Sequence, residues 1–388
     1  MMIYLDHSAT TPVDEAQKEL ILKLMYTDFG NPSSLHRLGV NSEKYIKKSR
    51  TQISKALNVN EKEILFTSGG TEANNFAIQG AVPKSKKGRI ITSVFEHPSV
   101  LNCVEEMSKK GFDAYYVKVN TEGILDLDEF KSALNPETVL VTMMHVNNEI
   151  GTIQPIEEIG EIIHNYNRAN NTKIVYHVDA VQSFGKIRLD VKKSYIDLMS
   201  FSAHKINGLK GSGGLYVREG ISLIPLVYGG GQEKGLRPGT ENIYGIASIG
   251  AATEGAFKDL EKHLEHVKIL KSKMIEYLQE NCDDFEVNGS IGDRVSPYIL
   301  NVSFRGIKGE VLLHTLEMNS IYVSTGSACS SKKKSYSHVL KAMFHEDERL
   351  DGAIRISFSK QNTVEEILKA SEIICKEVKA LRSIIKRR

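Results

Sequence analysis

Lys205 ends the run Ser200-Phe201-Ser202-Ala203-His204-Lys205, and upstream Asp179 lies in Val178-Asp179-Ala180-Val181-Gln182. A lysine just after a small-residue turn, with Ser202 and His204 beside it, has the make-up of an imine-forming amine. A buried lysine needs a reason, and imine formation supplies one by removing its charge. Asp179 ends an apolar, strand-like stretch, where an ionised and unpaired carboxylate is unfavourable. A protonated pyridine nitrogen is the partner that resolves this. The pair therefore points to pyridoxal 5'-phosphate, which needs a lysine for the imine and an acid to keep its ring an electron sink. Gln182 is spaced to reach the cofactor's phenolic oxygen, and Ser202 and His204 to add phosphate ligands. A solvated turn is the plainer reading of Ser202 to Lys205, and Asp179 upstream argues against it.

Other runs carry weaker signals of the same kind. Thr67-Ser68-Gly69-Gly70-Thr71-Glu72 precedes a helical pattern, and backbone N–H groups at a helix start attract an anion. Gly70 and Thr71 are the candidate phosphate donors, against an ordinary strand-to-helix turn. His97 and Asn148 each follow a strand-like run, where α/β sites assemble. His97 could stack on the ring and move protons, and Asn148 could serve the phenolic oxygen or a substrate carboxylate; structural roles are the alternatives. Arg355 lies in the apolar run Ala353 to Ser357 and needs a carboxylate, from substrate or from a salt bridge. Gly229 to Asn242 is rich in glycine and polar residues, too expensive in backbone entropy to be idle. Cys329 stands among Gly and Ser before Lys332-Lys333-Lys334, where nearby cations favour the thiolate. A free surface cysteine and a solvated lysine face are the plainer readings there.

These residues must be held by elements, and the periodicity supplies them. Ile90–Val94, Val139–His145, Lys173–Val178 and Leu198–Phe201 read as strands buried on both faces. Helical patterns cover Thr71–Gly80, Ser99–Lys109 and Ile156–Ala169. Strands alternating with helices predict an α/β fold with a mainly parallel central sheet. Beyond it come a charge-laced helix, Leu260–Asn281, strands at Tyr298–Phe304 and Ala353–Ser357, and a helix at Gly309–Met318. Thr363 and Glu366 form a capping-box pattern that opens a last helix. We expect a large cofactor domain over 15–255, a small α+β domain over 256–388 carrying the Cys329 loop, and an N-terminal segment, 1–14, associated with the small domain.

The bulk numbers agree with this reading. The chain has 388 residues, 41% hydrophobic and 25% charged, with formal net charge +2. That balance excludes wholesale disorder and gives no global field for nucleic acid or membrane. The four cysteines form no CxxC pair, so neither a disulfide scaffold nor a zinc site is indicated. No run reaches a membrane span, and Asp6 and Pro12 interrupt any export signal, so a cytoplasmic enzyme is expected.

Taken in order, the motifs resemble the cysteine desulfurases of the NifS/IscS type, within the class V aminotransferase family of fold-type I pyridoxal-phosphate enzymes. The resemblance runs from Tyr4-Leu5-Asp6-His7-Ser8-Ala9-Thr10-Thr11-Pro12 and Gly30-Asn31-Pro32-Ser33-Ser34-Leu35-His36 through to Arg355. It implies that Lys205 carries the cofactor, Asp179 holds its ring nitrogen, His97 stacks on it and Gln182 faces its phenolic oxygen. It implies that Gly70, Thr71, Ser202 and His204 hold the phosphate, with Thr240 reaching over from a second subunit of a homodimer. Asn31, Asn148 and Arg355 would read the substrate carboxylate, and Cys329 would accept sulfur from L-cysteine as a persulfide, leaving alanine. The chain departs from the family's usual form at Lys334-Ser335-Tyr336 and at Ser357-Phe358-Ser359-Lys360. Expected acceptors are iron–sulfur scaffolds, tRNA-thiolating enzymes or thiamine-pathway proteins. A selenocysteine lyase or an aminotransferase on the same scaffold, and a sulfur-carrier scaffold without turnover, are the alternatives.

Overall fold

The computed structural model describes residues 2–82, 88–290, 292–325, 336–344 and 346–385. Its strands, in chain order, are β1 (Ile3–Tyr4), β2 (Ile64–Thr67), β3 (Arg89–Ser93), β4 (Asp113–Val117), β5 (Thr138–Met144) and β6 (Val175–Asp179). They continue with β7 (Leu198–Ser202), β8 (Gly213–Val217), β9 (Phe285–Val287), β10 (Ile299–Phe304), β11 (Ile321–Tyr322) and β12 (Ala353–Ser357). Among the described residues the main sheet has seven strands in the order β2-β8-β7-β6-β5-β3-β4. Only β8 runs antiparallel to its neighbours; β3 to β7 are mutually parallel. β7 is buried along its whole length, as a strand covered on both faces must be. Helices Gly70–Ala81, Pro98–Lys109 and Ile156–Asn170 fall within a residue of the periodicity.

Two long helices that the sequence reading left unassigned are Arg37–Leu57 and Ile243–Lys258. They pack on each other through small residues: a Cβ on Gly250 would lie 2.6 Å from Ser49 Cβ. The buried positions of Arg37–Leu57 include Gly39, Ser42, Ser49 and Ser54. Ile46, Ile53 and Leu57 of the same helix join the main core, while the serines and the glycine between them carry no apolar signal.

Two cores lie at either end of Asp259. Ile243, Ile246, Ile249 and Ala252, on the helix before it, join the core of the main sheet. Val267, Leu270, Met274 and Leu278, on helix Leu260–Asn281 after it, join a second core with β10, β12, Ile3 and Leu5. The boundary expected at residue 256 falls in the last turn of the first helix. β1 pairs in parallel with β11, and the antiparallel sheet order is β12-β10-β9. Thr363 and Glu366 exchange the two capping-box hydrogen bonds, Thr363 N–H to Glu366 at 3.1 Å and Glu366 N–H to Thr363 at 3.2 Å.

Candidate active site

The carboxyl ends of β3, β5, β6 and β7 converge on one cavity of about 740 Å³, the place where open α/β sheets build their sites. Each strand end contributes. His97 follows β3, Asn148 follows β5, Asp179 closes β6, and Ser202, His204 and Lys205 close and follow β7. Gly70 and Thr71 open helix Gly70–Ala81 along one wall. Arg355, from β12, and Asp6 and Ser8, from the N-terminal segment, close the cavity from the second core.

Lys205 Nζ donates to the carbonyl of Ala9 at 2.8 Å and to that of Ser8. Burial, then the neighbouring Lys186 and Arg355, press its amine down to about 7, against the pull of Asp6 and Asp179. Asp179 is not unpaired, as the sequence had implied: Asn74 Nδ2 donates to Oδ2 at 2.7 Å, and the Val181 N–H donates to Oδ1 at 3.0 Å. Asn74 escaped the sequence reading; its signal was its place one turn into the helix that Gly70 begins.

The residues present fit pyridoxal phosphate. Ser202 Oγ is buried without a partner among the described residues and borders the cavity beside the helix start. A Cβ on Gly70 would lie 2.6 Å from Val181 Cγ2, so the cradle admits backbone and little else. His204 bonds Thr10 Oγ1 through Nδ1 at 3.2 Å, and burial with the lysines around it lowers its basicity to about 4. A neutral imidazole can donate to a phosphate without adding charge. His97 Nδ1 accepts from the Ser99 N–H at 3.1 Å and caps helix Pro98–Lys109. The surrounding protein lowers its basicity, Asp179 opposes this, and Lys205 and His338 add to it.

Gln182 Nε2 donates to the Ser8 carbonyl at 2.9 Å. Arg355 pairs with Asp6 at 2.9 Å and donates to the Asn148 carbonyl at 3.0 Å, while its Nε stays buried without a partner among the described residues. The salt bridge weighed for Arg355 is thus formed, and the residue still borders the cavity.

Two expected residues do not reach the cavity within this chain. Asn31 is exposed and its side chain accepts from the Ser33 N–H at 2.9 Å. Thr240 is exposed, at the end of the glycine-rich loop that Glu233 ties to Arg50 and Arg237 ties to Glu72. Cys329 and Lys332 to Lys334 lie outside the described residues. Ser324 before that stretch, and Tyr336, Ser337 and His338 after it, all line the cavity. Ser337 Oγ donates to the buried Glu149 carboxylate, and the His338 ring bonds the Glu96 carbonyl at 2.9 Å. Neither Glu149 nor His338 was singled out from the sequence.

The aminotransferase class-V family pattern matches residues 3–369. A protein of Methanosarcina thermophila named cysteine desulfurase IscS is 42% identical over 384 residues, 98% of this chain and 93% of that one. A solved NifS-like protein superposes with a TM-score of 0.91 at 37% identity, covering 98% of this chain and all of that one. A solved structure described as SspA in complex with cysteine has a TM-score of 0.81 and 34% identity, over 93% of this chain and 100% of that one. By this full-length similarity, and by the lysine–aspartate cavity at the ends of its parallel strands, the chain belongs to the class-V aminotransferase family, in its cysteine desulfurase branch.

Proposed function

We propose that this chain is a cysteine desulfurase that takes sulfur from L-cysteine onto Cys329 and releases L-alanine. The observation that carries the reading is the Lys205 amine, held near neutrality and facing one cavity with Asp179 and Arg355. Pyridoxal phosphate would be held by Gly70, Thr71, Ser202 and His204 at its phosphate, by Asp179 at its ring nitrogen, by Gln182 at its phenolic oxygen, and by Lys205. When bound, it supplies an electron sink for charge developing at the substrate's Cα.

The protein's own groups do the rest. Arg355 orients the substrate carboxylate, with Asn148 beside it. Lys205, when free, is a base of matched strength for the Cα proton, because its amine is poised near neutral pH. His97 lies over the same space and can pass protons. The Cys329 thiolate attacks the substrate sulfur: the S–S bond forms as the Cβ–S bond breaks, and its electron pair is protonated at carbon. Cysteine and one thiol thus become alanine and one persulfide, with no outside oxidant or reductant.

We further propose a homodimer in which Thr240 serves the neighbouring subunit's phosphate site. The persulfide passes to an acceptor protein, an iron–sulfur scaffold or a tRNA-thiolating enzyme. No helix among the described residues is long and apolar enough to cross a membrane, and the reading places the enzyme in the cytoplasm.

Mass spectrometry of the cofactor-loaded protein after brief exposure to L-cysteine tests the reading, with alanine quantified in parallel. Reducible added sulfur on the Cys329 peptide, absent from Cys329→Ala, with alanine released, is expected. Pyruvate without added sulfur would indicate an aminotransferase, and turnover of selenocysteine but not cysteine would indicate a selenocysteine lyase.

A further inference from the structure

Lys186 is a buried lysine, 7% exposed, for which the reaction above has no use. The turn after β6 delivers it inward. Gly185 there adopts φ +70°, and a Cβ on it would meet Ala256 Cβ at 3.0 Å and Ile206 Cγ2 at 3.1 Å, so glycine is required. The ammonium group has sparse company. Nζ donates to Gln182 Oε1 at 3.5 Å and lies 5.6 Å from the centre of the Tyr298 ring. Among the described residues no carboxylate pairs with it, and burial lowers its own basicity to about 8, with Arg355 adding to the effect. A buried cation without a counter-ion is unfavourable, and apolar side chains of similar length fill such slots without that penalty.

Three contacts lead from Lys186 to the reactive amine. Gln182 Oε1 accepts from Lys186, Gln182 Nε2 donates to the Ser8 carbonyl, and Lys205 Nζ donates to that same carbonyl. Among the charges acting on Lys205, Lys186 is the largest, ahead of Arg355, with Asp6 and Asp179 opposing them. The His204 imidazole feels both amines, His7 feels Lys186 and His97 feels Lys205. His263 and Lys360 line the small cavity that Lys186 and Lys205 share.

We propose that Lys186 is a positioning residue for Lys205: it fixes Gln182 and keeps a second positive charge behind the reactive amine, which favours the neutral, proton-accepting form. The inference rests on Lys205 being the imine lysine. Like charge at short range disfavours the second protonation, so removing Lys186's charge strengthens the hold of Lys205 on its proton.

The test compares Lys186→Met, similar in length and uncharged, with Lys186→Arg, which keeps the charge. The readout is a pH titration of the visible absorption band of the pyridoxal-phosphate-loaded protein, which follows the proton on the Lys205 imine nitrogen, a group exposed to the same charge. Lys186→Met should move the midpoint upward by roughly one pH unit or more, as expected for one charge three contacts away at an effective dielectric near 20. Lys186→Arg should leave it in place. An unmoved midpoint in Lys186→Met, or an equal shift in Lys186→Arg, would overturn the proposal and leave Lys186 a packing residue. If Lys186→Met fails to fold, Lys186→Gln carries the same expectation. Borohydride reduction of the loaded protein identifies the lysine that bears the cofactor. Labelling anywhere but Lys205 would sink the underlying reading rather than this inference alone.

Discussion

At the scale of single residues, the site depends on side chains that hold other side chains. Asn74 bridges Asp179 and Ser99, at 2.7 and 2.9 Å, and so fixes the Asp179 carboxylate at the cavity. Asn74→Ala removes one hydrogen bond to a charged group, about 1.5–3 kcal/mol. Affinity for pyridoxal phosphate should fall roughly tenfold to a hundredfold. Equilibrium dialysis checks this, and an unchanged dissociation constant would remove Asn74 from the account. Arg355 is held in the same way, by Asp6 at 2.9 Å and by the Asn148 carbonyl at 3.0 Å.

Among the elements, the decisive one is the helix Gly70–Ala81. Its first turn presents unpaired N–H groups to the cavity, and its dipole favours a dianion there. The approach is close, since Gly70 lies against Val181. Gly70→Ala drives a methyl group into that contact and displaces the first turn. Cofactor affinity should drop by about tenfold or more while the thermal midpoint of the cofactor-free protein changes little, because a small overpacking strain of 1–3 kcal/mol is confined to the cradle. A titration followed by cofactor absorbance, beside a thermal melt, separates the two effects. On the opposite wall, the Glu149–Ser337 bond ties the loop after β5 to helix His338–Met343. It fixes the chain just beyond the stretch that holds Cys329.

For the whole molecule, the cavity exists because two cores meet. The main sheet supplies Asp179, Ser202 and Lys205, and the second core supplies Arg355 and Asp6. The second core carries an ionisable group of its own. Lys271 points inward from helix Leu260–Asn281, donates to the Ser296 and Ile299 carbonyls at 3.1 and 2.7 Å, and is lowered by burial to about 7. The unfolded chain keeps the ordinary lysine value near 10.4, so between these limits it binds more protons than the folded protein. Stability contributed by this group therefore rises as pH increases from about 7 towards 10. The gain is up to about 2–3 kcal/mol between pH 7 and 9. Urea unfolding of Lys271→Met should lose that share of the pH dependence and be more stable than the parent at pH 7. A parent-like slope in the variant would refute the assignment.

The strand-and-helix alternation was legible in the residues alone, and so was the clustering of polar groups at strand ends. Lys205, Asp179, Gln182, Ser202 and His204 stand within short runs at strand ends, and a strand end in a parallel sheet has one place to point. The capping box at Thr363 and the buried strands were legible too, because local patterns encode local structure. Tertiary structure alone decided which distant residues complete the site. Asn74, Glu149 and His338 each matter through a partner far away in the chain, Asp179, Ser337 and Glu96, which folding alone brings beside them. The same holds for the contact between helices Arg37–Leu57 and Ile243–Lys258, where Ser49 is set against Gly250. Periodicity reports burial against large apolar groups, and contacts between small or polar groups leave no periodic trace.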